Sequence, residues 1–172
     1  MAKFGVGQPV RRVEDARLLM GKGQFTDDTV LKGQAHAYIL RSPHAHARIR
    51  RIEAQAAKAM PGVLAVLTAK ELEADKIGPV HCKVDYKHIG GEKMHKPDHP
   101  ALAGDRVRHV GDPVALIVAE TLAQARDAAE AVAVDYEALP SVTDTSAALK
   151  PGAPEIWPEI KGNLVLDWQM GD

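Results

Sequence analysis

The hydrophobic and polar positions of the chain repeat one order of elements twice. The first copy lies within residues 34–68, where alternation and β-branched residues predict strands and an alanine-rich run predicts a helix. Its elements are a strand over Gln34–Arg41, a strand over Ala47–Ile52, a helix over Ala54–Met60 and a strand over Val63–Thr68. Because Pro43 cannot continue a central strand, the first two strands are predicted to form a β-hairpin.

The second copy lies within residues 106–137 and has the same order. Its elements are strands over Arg106–Val110 and Val114–Ala119, a helix that follows Thr121 as N-cap, and a strand over Ala133–Glu137. The turn Gly111-Asp112-Pro113 separates the first two strands, which are again predicted to form a hairpin. The letters of the two copies do not match, so only the pattern is duplicated.

This duplication predicts an α+β fold, with two β-hairpin–helix–strand units and the helices on one layer of a mixed sheet. Alanine supplies 27 of the 172 residues, which favours small side chains where helices meet the sheet.

Three other segments lack periodicity. Residues 1–33 form a polar, turn-rich N-terminal arm with one short helical turn near Asp15–Met20, and residues 34–150 form the folded domain. Within that domain, residues 73–100 make a long loop, a kind of segment that is usually functional or mobile. Residues 151–172 form an extended, proline-punctuated C-terminal connection. It carries both tryptophans, which suggests that it lies along the surface of its own domain or of a partner.

Composition excludes several functions. The net charge of −1 and the seven aromatic residues argue against a nucleic-acid or membrane surface. A single cysteine excludes an internal disulfide, an iron–sulfur set and a cysteine zinc site. Apolar runs are too short to span a membrane, so we expect a cytoplasmic protein. The N-terminal 50 residues are basic and the C-terminal 72 acidic, which favours either two solvated faces or a docking arm.

The histidines are the main candidates for a binding site. His44 and His46 fall on one side of an extended segment, and His36 lies on the neighbouring strand. Zinc needs three or four ligands, and no paired cysteine or nearby glutamate completes this set. Four more histidines lie in the loop 73–100, where histidines are commonly solvated. A metal therefore remains the less favoured interpretation of both groups.

No motif of the chain indicates an active site. The glycine pairs do not stand between a strand and a helix with Gly-Lys-Ser/Thr, and no Gly-x-Ser-x-Gly sequence occurs. The carboxylate pairs are typical of turns and surfaces. We therefore assign no catalytic, cofactor-binding or metal-ligating residue.

Ordered motifs nevertheless span nearly the whole chain. They are Val13-Glu14-Asp15-x-Arg17-Leu18-Leu19-x-Gly21-x-Gly23-x-Phe25-x-Asp27-Asp28, Arg41-Ser42-Pro43-His44-Ala45-His46-Ala47-Arg48-Ile49, Pro61-Gly62-Val63, Val110-Gly111-Asp112-Pro113-Val114-Ala115, Val134-Asp135-Tyr136-Glu137-x-Leu139-Pro140, Pro151-Gly152-Ala153-Pro154 and Gly162-Asn163. Together they resemble the N-terminal part of the large, molybdenum-binding subunit of the xanthine dehydrogenase/aldehyde oxidase family, in particular its carbon monoxide dehydrogenase-like branch.

The resemblance implies the α/β-hammerhead domain of that subunit, a member of a molybdenum-containing oxidoreductase. It also implies molybdopterin-bound molybdenum in later domains of the same subunit, with [2Fe–2S] clusters on a small subunit and FAD on a medium subunit. None of the residues present matches the family's molybdopterin-contact or catalytic motifs.

Two functional hypotheses follow. In the first, the chain is a non-catalytic structural and assembly domain of a molybdenum hydroxylase that oxidises an aldehyde, a purine-like compound or CO. The residues 1–172 would then be inactive alone, with the arm and the C-terminal connection packed against cofactor domains. In the second, the chain is an independent module that binds a small molecule or metal through the loop 73–100 or through His36, His44 and His46.

Overall fold

Two units of the chain are distinguished by their internal contacts. The computed structural model describes Gly7 and residues 11–171. One unit is Met1–Gln34 and the other is Ala35–Asp172. The described part of the first unit contains a helix, α1 (Asp15–Leu19), where the sequence predicts a short helical turn, and a 3-10 turn over Thr26–Asp28.

The described residues of the second unit contain six strands and four α-helices. In chain order they are β1 (His36–Arg41), β2 (Ala47–Glu53), α2 (Gln55–Lys58), β3 (Val63–Thr68), α3 (Ala69–Ala74), β4 (Arg106–Val107), β5 (Pro113–Ala119), α4 (Leu122–Glu130), β6 (Ala133–Ala138) and α5 (Thr145–Ala148). The predicted order of strand, strand, helix and strand therefore occurs twice, and the α+β class is confirmed. α3 and α5 were not predicted.

The predicted strand pairing is wrong. β1 and β2 do not form a hairpin, and neither do β4 and β5. The strands instead form two antiparallel three-stranded sheets, β1–β5–β3 and β4–β2–β6, rather than one mixed sheet. The middle strand of each sheet thus comes from the other copy of the repeat, which interlocks the two copies.

β5 is the centre of the first sheet. Ile117 is opposite Tyr38 of β1 on one side and Val66 of β3 on the other. Ile117 is fully buried, as expected for the continuous apolar run of this strand. β5 begins at Pro113, next to an irregularity in the register between β5 and β1. Because proline stands at the first position of the strand, its missing N–H interrupts no hydrogen bond in the middle of the sheet.

Alanine allows the helices to approach this sheet closely. Ala125, Ala128 and Ala129 of α4 and Ala57 of α2 are buried in one core with β3 and β5. α4 begins at a capping box, in which the Gln124 N–H donates to the Thr121 hydroxyl and the Thr121 N–H donates to the Gln124 side chain. A smaller core of Ala47, Ala103, Val107 and Val114 joins the second sheet to β5.

Candidate functional site

The connections from β1 to β2 and from β4 to β5 cross one another where the chain passes between sheets. At this crossing, the Ser42 N–H donates to the carbonyl oxygen of Asp112 at 2.9 Å, and the Gly111 N–H donates to the carbonyl oxygen of Ser42 at 2.8 Å. The Arg41 guanidinium adds a 2.8 Å bond to the Gly111 carbonyl. Gly111 has a φ of +89°, a conformation that favours glycine, so the motif glycine is needed for this turn.

Side chains of the same motifs reinforce the crossing. The carboxylate of Asp112 accepts a 2.8 Å bond from the Arg108 N–H, which closes the turn before β5. The ring of Tyr136, on β6, lies 4.8 Å from the ring of His44, centroid to centroid. Burial raises the pKa of the Tyr136 phenol, although a hydrogen bond with Ser42 opposes the shift. The Tyr136 phenol therefore stays protonated at neutral pH.

His46 joins the motif that ends at Pro140 to the crossing. Its side chain is 6% exposed, and Nδ1 lies 2.8 Å from the carbonyl oxygen of Pro140. Because a carbonyl only accepts, Nδ1 carries the proton. The Leu139 N–H in turn donates to the His46 carbonyl at 2.9 Å. This histidine thus anchors the end of β6 to the start of β2.

The three histidines of the metal hypothesis do not form a ligand set. His36 lies in β1, the ring of His44 packs at a tilt against that of Tyr136, and one ring nitrogen of His46 is bonded to Pro140. Among the residues that the structure describes, no three His, Cys, Asp or Glu side chains are grouped so that they could hold a metal ion.

The loop 73–100 is largely irregular after α3 ends at Ala74, but parts of it are paired. Isolated bridges connect Val80 with His99 and Lys87 with Lys93. The His88 N–H donates to the Glu92 carbonyl at 2.8 Å. The loop therefore has a small hairpin-like tip, which sequence periodicity does not reveal because its pairing is too short to alternate.

The loop histidines make separate contacts. His81 pairs with Asp98 at 3.3 Å, and His99 packs its ring edge against Trp157. The rings of His88 and His95 are 6.2 Å apart between centroids. Their partners are thus different residues of the loop and of the C-terminal connection.

The C-terminal connection lies along its own domain. Ile156 and Ile160 are buried, and the ring of Trp157 lies beneath the Arg108 guanidinium at 5.7 Å. Asn163 closes this part of the chain with hydrogen bonds from its side chain to three backbone groups, those of Ala148, Pro154 and Ile156. The expectation that tryptophans bring this segment onto a surface is confirmed for the surface of the domain itself.

The last part of the connection meets the tip of the loop. The Ile89 N–H donates to the Asp167 carbonyl at 3.0 Å, and the Asp167 N–H donates to His88 Nδ1 at 3.0 Å. The ring of Trp168 lies 5.8 Å from the ring of Tyr86. We call Tyr86, Ile89 and Trp168 the aromatic patch. Their exposed fractions are 47%, 63% and 53%, so the domain leaves about half of this apolar surface in solvent.

The first unit also exposes apolar side chains. Within its short motif-bearing segment, large hydrophobic residues are more than 60% exposed, namely Val13, Leu19, Met20, Phe25, Val30 and Leu31. Monomeric proteins expose single hydrophobic residues commonly but rarely so many in a stretch of this length.

A groove of about 650 Å³ lies between β2 and α3. Its charged rim is largely paired, as Arg51 with Glu53 at 2.9 Å and Lys58 with Glu71 at 3.6 Å. Such paired charges offer no convergent set of groups for a substrate. In the described residues, no helix is long and apolar enough to cross a membrane.

Comparison with known proteins agrees with this geometry. The family model described as "Aldehyde oxidase and xanthine dehydrogenase, a/b hammerhead domain" matches residues 20–140. The large subunit of nicotine 6-hydroxylase from Paenarthrobacter nicotinovorans is 42% identical over 147 residues, which cover 86% of this chain and 17% of the relative. The carbon monoxide dehydrogenase large chain of Afipia carboxidovorans is 37% identical over 180 residues, covering 98% of this chain and 21% of the relative.

Solved structures give the same result. Quinoline 2-oxidoreductase from Pseudomonas putida 86 aligns with a TM-score of 0.79 and 39% identity, over 91% of this chain and 19% of that chain. The Cu,Mo-CO dehydrogenase aligns with a TM-score of 0.72 and 38% identity, over 94% of this chain and 19% of that chain. The present chain therefore spans about a fifth of the length of these relatives.

The interlocked sheets and their alanine-lined helices define an α/β-hammerhead domain. The family match and the extent of the identities make the assignment specific. The chain belongs to the aldehyde oxidase and xanthine dehydrogenase hammerhead family, and it is a domain of the kind found in molybdenum hydroxylase large subunits.

The relatives include molybdenum enzymes, such as the Cu,Mo-CO dehydrogenase and the xanthine dehydrogenase molybdenum-binding subunit of Escherichia coli O157:H7. The residues described here supply no identified ligand for a molybdenum cofactor. Ser42, Asp112 and His46 use their polar atoms or backbone to hold the chain crossing, and the described histidines and carboxylates form no metal-binding group. No chemical step is therefore assigned to this chain.

Proposed function

We propose that this chain is a non-catalytic structural and assembly domain of a molybdenum hydroxylase. The observation that supports it is the use of the motif residues. Ser42, Asp112 and His46, taken from two of the shared motifs, are each hydrogen-bonded to other parts of the same domain. These residues belong to motifs that resemble those of the family, and they also hold the chain crossing. A role in the stability of the fold best explains their presence in the motifs.

In this proposal, residues 1–33 are a docking arm, residues 34–150 are the hammerhead domain and residues 151–172 are the connection towards molybdopterin-binding domains. Apolar side chains such as Leu19 and Phe25 of the arm are exposed, at 87% and 66%, which supports a surface that another part of the protein covers.

The remaining assignments follow from the family. The complete large subunit would hold molybdopterin-bound molybdenum, and partner subunits would hold [2Fe–2S] clusters and FAD. The complete cytoplasmic enzyme would hydroxylate an aldehyde or purine-like compound or oxidise CO. The names of the relatives, which include large subunits and a "complex subunit gamma", support an assembly of several chains.

Two measurements test the proposal. The purified chain 1–172 should contain no stoichiometric molybdopterin and should not reduce a dye acceptor in the presence of an aldehyde or a purine. Bound cofactor or dye-linked oxidation by the chain alone would overturn the proposal. The second measurement uses a chimera, in which residues 1–172 replace the aligned segment of the Afipia carboxidovorans large chain. We expect this chimera to be produced as a stable, molybdenum-loaded subunit, and a chimera that fails to assemble would also contradict the assignment.

A further inference from the structure

The end of the C-terminal connection lies along the tip of the long loop. We call residues 86–95 the loop tip and residues 165–168 the strap. Among the residues that the structure describes, three hydrogen bonds join these two segments, and two of the three use backbone groups only. The backbone bonds run from the His95 N–H to the Val165 carbonyl, at 3.1 Å, and from the Ile89 N–H to the Asp167 carbonyl, at 3.0 Å.

The third bond fixes the protonation state of a histidine ring. The Asp167 N–H donates to Nδ1 of His88 at 3.0 Å. Because a backbone N–H only donates, Nδ1 of His88 must accept and therefore carries no proton. Both ring nitrogens of an imidazolium are donors, so a proton added to Nδ1 from the solvent would place one N–H against another. The observed contact between the strap and the loop tip thus requires a neutral His88 ring.

The neighbouring charges oppose protonation of this ring as well. The centroid of the His95 ring lies 6.2 Å from that of His88, and two positive rings at this distance would repel each other. Asp85 and Lys96, which flank the loop tip, are paired with each other. The other charged residues of the loop tip and the strap are two of each sign, namely Lys87, Lys93, Glu92 and Asp167. Protonated histidines would therefore add positive charge to a region whose other charges are balanced.

We infer that His88 is a pH-sensitive latch, which holds the strap on the loop tip while its ring is neutral and releases the strap when Nδ1 takes up a proton. Release takes up a proton, so it is favoured as the pH falls. Histidine is the side chain that ordinarily changes charge between about pH 5 and pH 8.

The latch acts locally. Ile156 and Ile160 are 8% and 2% exposed, so the earlier part of the connection is held by burial, which a charge on His88 does not alter. This inference concerns the chain by itself and does not rest on the proposed function, so each can fail without the other.

The first test measures amide exchange by NMR in the chain 1–172, at about pH 7.5 and about pH 5.0. The protection factor of the Asp167 amide, which corrects for the intrinsic effect of pH on exchange, should fall about fivefold or more at the lower pH, because the amide loses its acceptor. The protection factors in β5 should stay constant. Equal protection of Asp167 at both pH values would overturn the inference, as would a parallel loss in β5.

The second test replaces the latch with an acceptor that does not titrate. The side-chain oxygen of asparagine accepts a hydrogen bond and stays uncharged over this range. His88→Asn should therefore remove the pH dependence of protection at Asp167. His95→Asn is the matched control, and this variant should keep the pH dependence because it retains His88. A fivefold fall that persists in His88→Asn would overturn the inference.

A direct titration decides the matter if the asparagine variant leaves Asp167 unprotected at both pH values. Long-range ¹H–¹⁵N spectra of the wild-type chain follow the protonation of Nδ1 in His88. The midpoint of this titration should coincide with the midpoint for loss of protection at Asp167. Coinciding midpoints would support the latch, and separate midpoints would overturn it.

Discussion

Nδ1 of His46 lies 2.8 Å from the carbonyl oxygen of Pro140, although 94 residues separate the two along the chain. The bond joins the connection before β2 to the end of β6, and β2 and β6 are neighbours in the second sheet. The histidine therefore holds the two motifs in register from inside the domain.

Removing this histidine should destabilise the domain without changing its metal content. His46→Ala leaves the Pro140 carbonyl without its donor and opens space at a buried position, so we expect a loss of about 1–3 kcal/mol in the free energy of unfolding. Urea unfolding measures the stability, and elemental analysis measures the metal. The control is His81→Ala, since the His81 side chain is 72% exposed and should be removed at little cost. Loss of a bound metal in His46→Ala would instead favour the metal-binding module.

Truncating the centre of the first sheet should be costly. Ile117 of β5 is fully buried between β1 and β3, so Ile117→Ala should lower the free energy of unfolding by about 2–5 kcal/mol. Leu64→Ala, on the edge strand β3, should change it by less than about 0.5 kcal/mol. Chemical denaturation of the two variants gives the comparison, and equal effects would contradict the assignment of β5 as the central strand.

Gly62 supports the capping box of α4 by leaving room for it. Its φ is +78°, and a Cβ at this position would overlap the side-chain amide of Gln124. Gly62→Ala should therefore cost about 1–2 kcal/mol for the backbone conformation and a further ~0.5–2 kcal/mol for the displaced cap.

Gly152→Ala is the matched control for this prediction, because Gly152 has a φ of +83° and no atom within 4 Å of the added Cβ. The excess cost at Gly62 should disappear when Gly62→Ala is measured in a Gln124→Ala background. An excess that persists in that background would show that the contact with Gln124 is not its cause.

Glu71 should make the stability of the domain depend on pH in the acidic range. The hydroxyl of Thr68 donates to its carboxylate and holds the pKa of Glu71 below its usual range, against the smaller effect of burial. The Thr68 N–H, at 2.8 Å, and the Lys58 ammonium, at 3.6 Å, lower the pKa further. Because the pKa is lower in the folded state, the carboxylate stabilises the fold above the unfolded pKa of about 4.3, and this contribution is lost as the pH falls through the folded pKa.

The test compares Glu71→Gln with the wild-type chain by urea unfolding at about pH 7 and about pH 3. We expect the variant to be less stable at the higher pH and the difference to shrink at the lower pH. Glu73→Gln, in the same helix but outside the capping box, controls for the loss of a negative charge. A difference between Glu71→Gln and wild type that stays constant over this range would contradict the prediction.

Asn163 should control the order of the C-terminal connection. Its side chain accepts from the Ile156 N–H at 3.1 Å and donates to the carbonyls of Ala148 and Pro154, both at 3.0 Å. Asn163→Ala should increase amide hydrogen exchange in this connection by about tenfold or more, since each lost bond contributes about 0.5–1.5 kcal/mol. Exchange in β5 should remain unchanged. Unaltered exchange at Ile156 would contradict the role of Asn163.

The sequence was sufficient to predict most of the elements, although not α3 and α5, because the signals of the others are local. Alternation identified the strand Val63–Thr68, with the bounds that the structure has, and Thr121 identified the start of α4. The ordered motifs also predicted the family, which the comparisons confirm. The absence of a known catalytic pattern was read from the same residues. By contrast, β4 is shorter than predicted, because only Arg106 and Val107 find a partner in β2.

The pairing of the strands was decided by tertiary structure alone. Two pairings would bury the same apolar residues: a hairpin of β1 with β2, and the observed exchange of central strands. The periodicity of the sequence therefore cannot distinguish between these two pairings. The exchange depends on Ser42 meeting Gly111 and Asp112, and on His46 meeting Pro140, contacts between residues about 70 or more positions apart. The aromatic patch arises in the same way, since only the fold places Trp168 beside Tyr86. The sequence thus determined most of the strands and helices and the family to which the chain belongs. Only the packing of distant segments determined the two interlocked sheets and the contact between Trp168 and Tyr86.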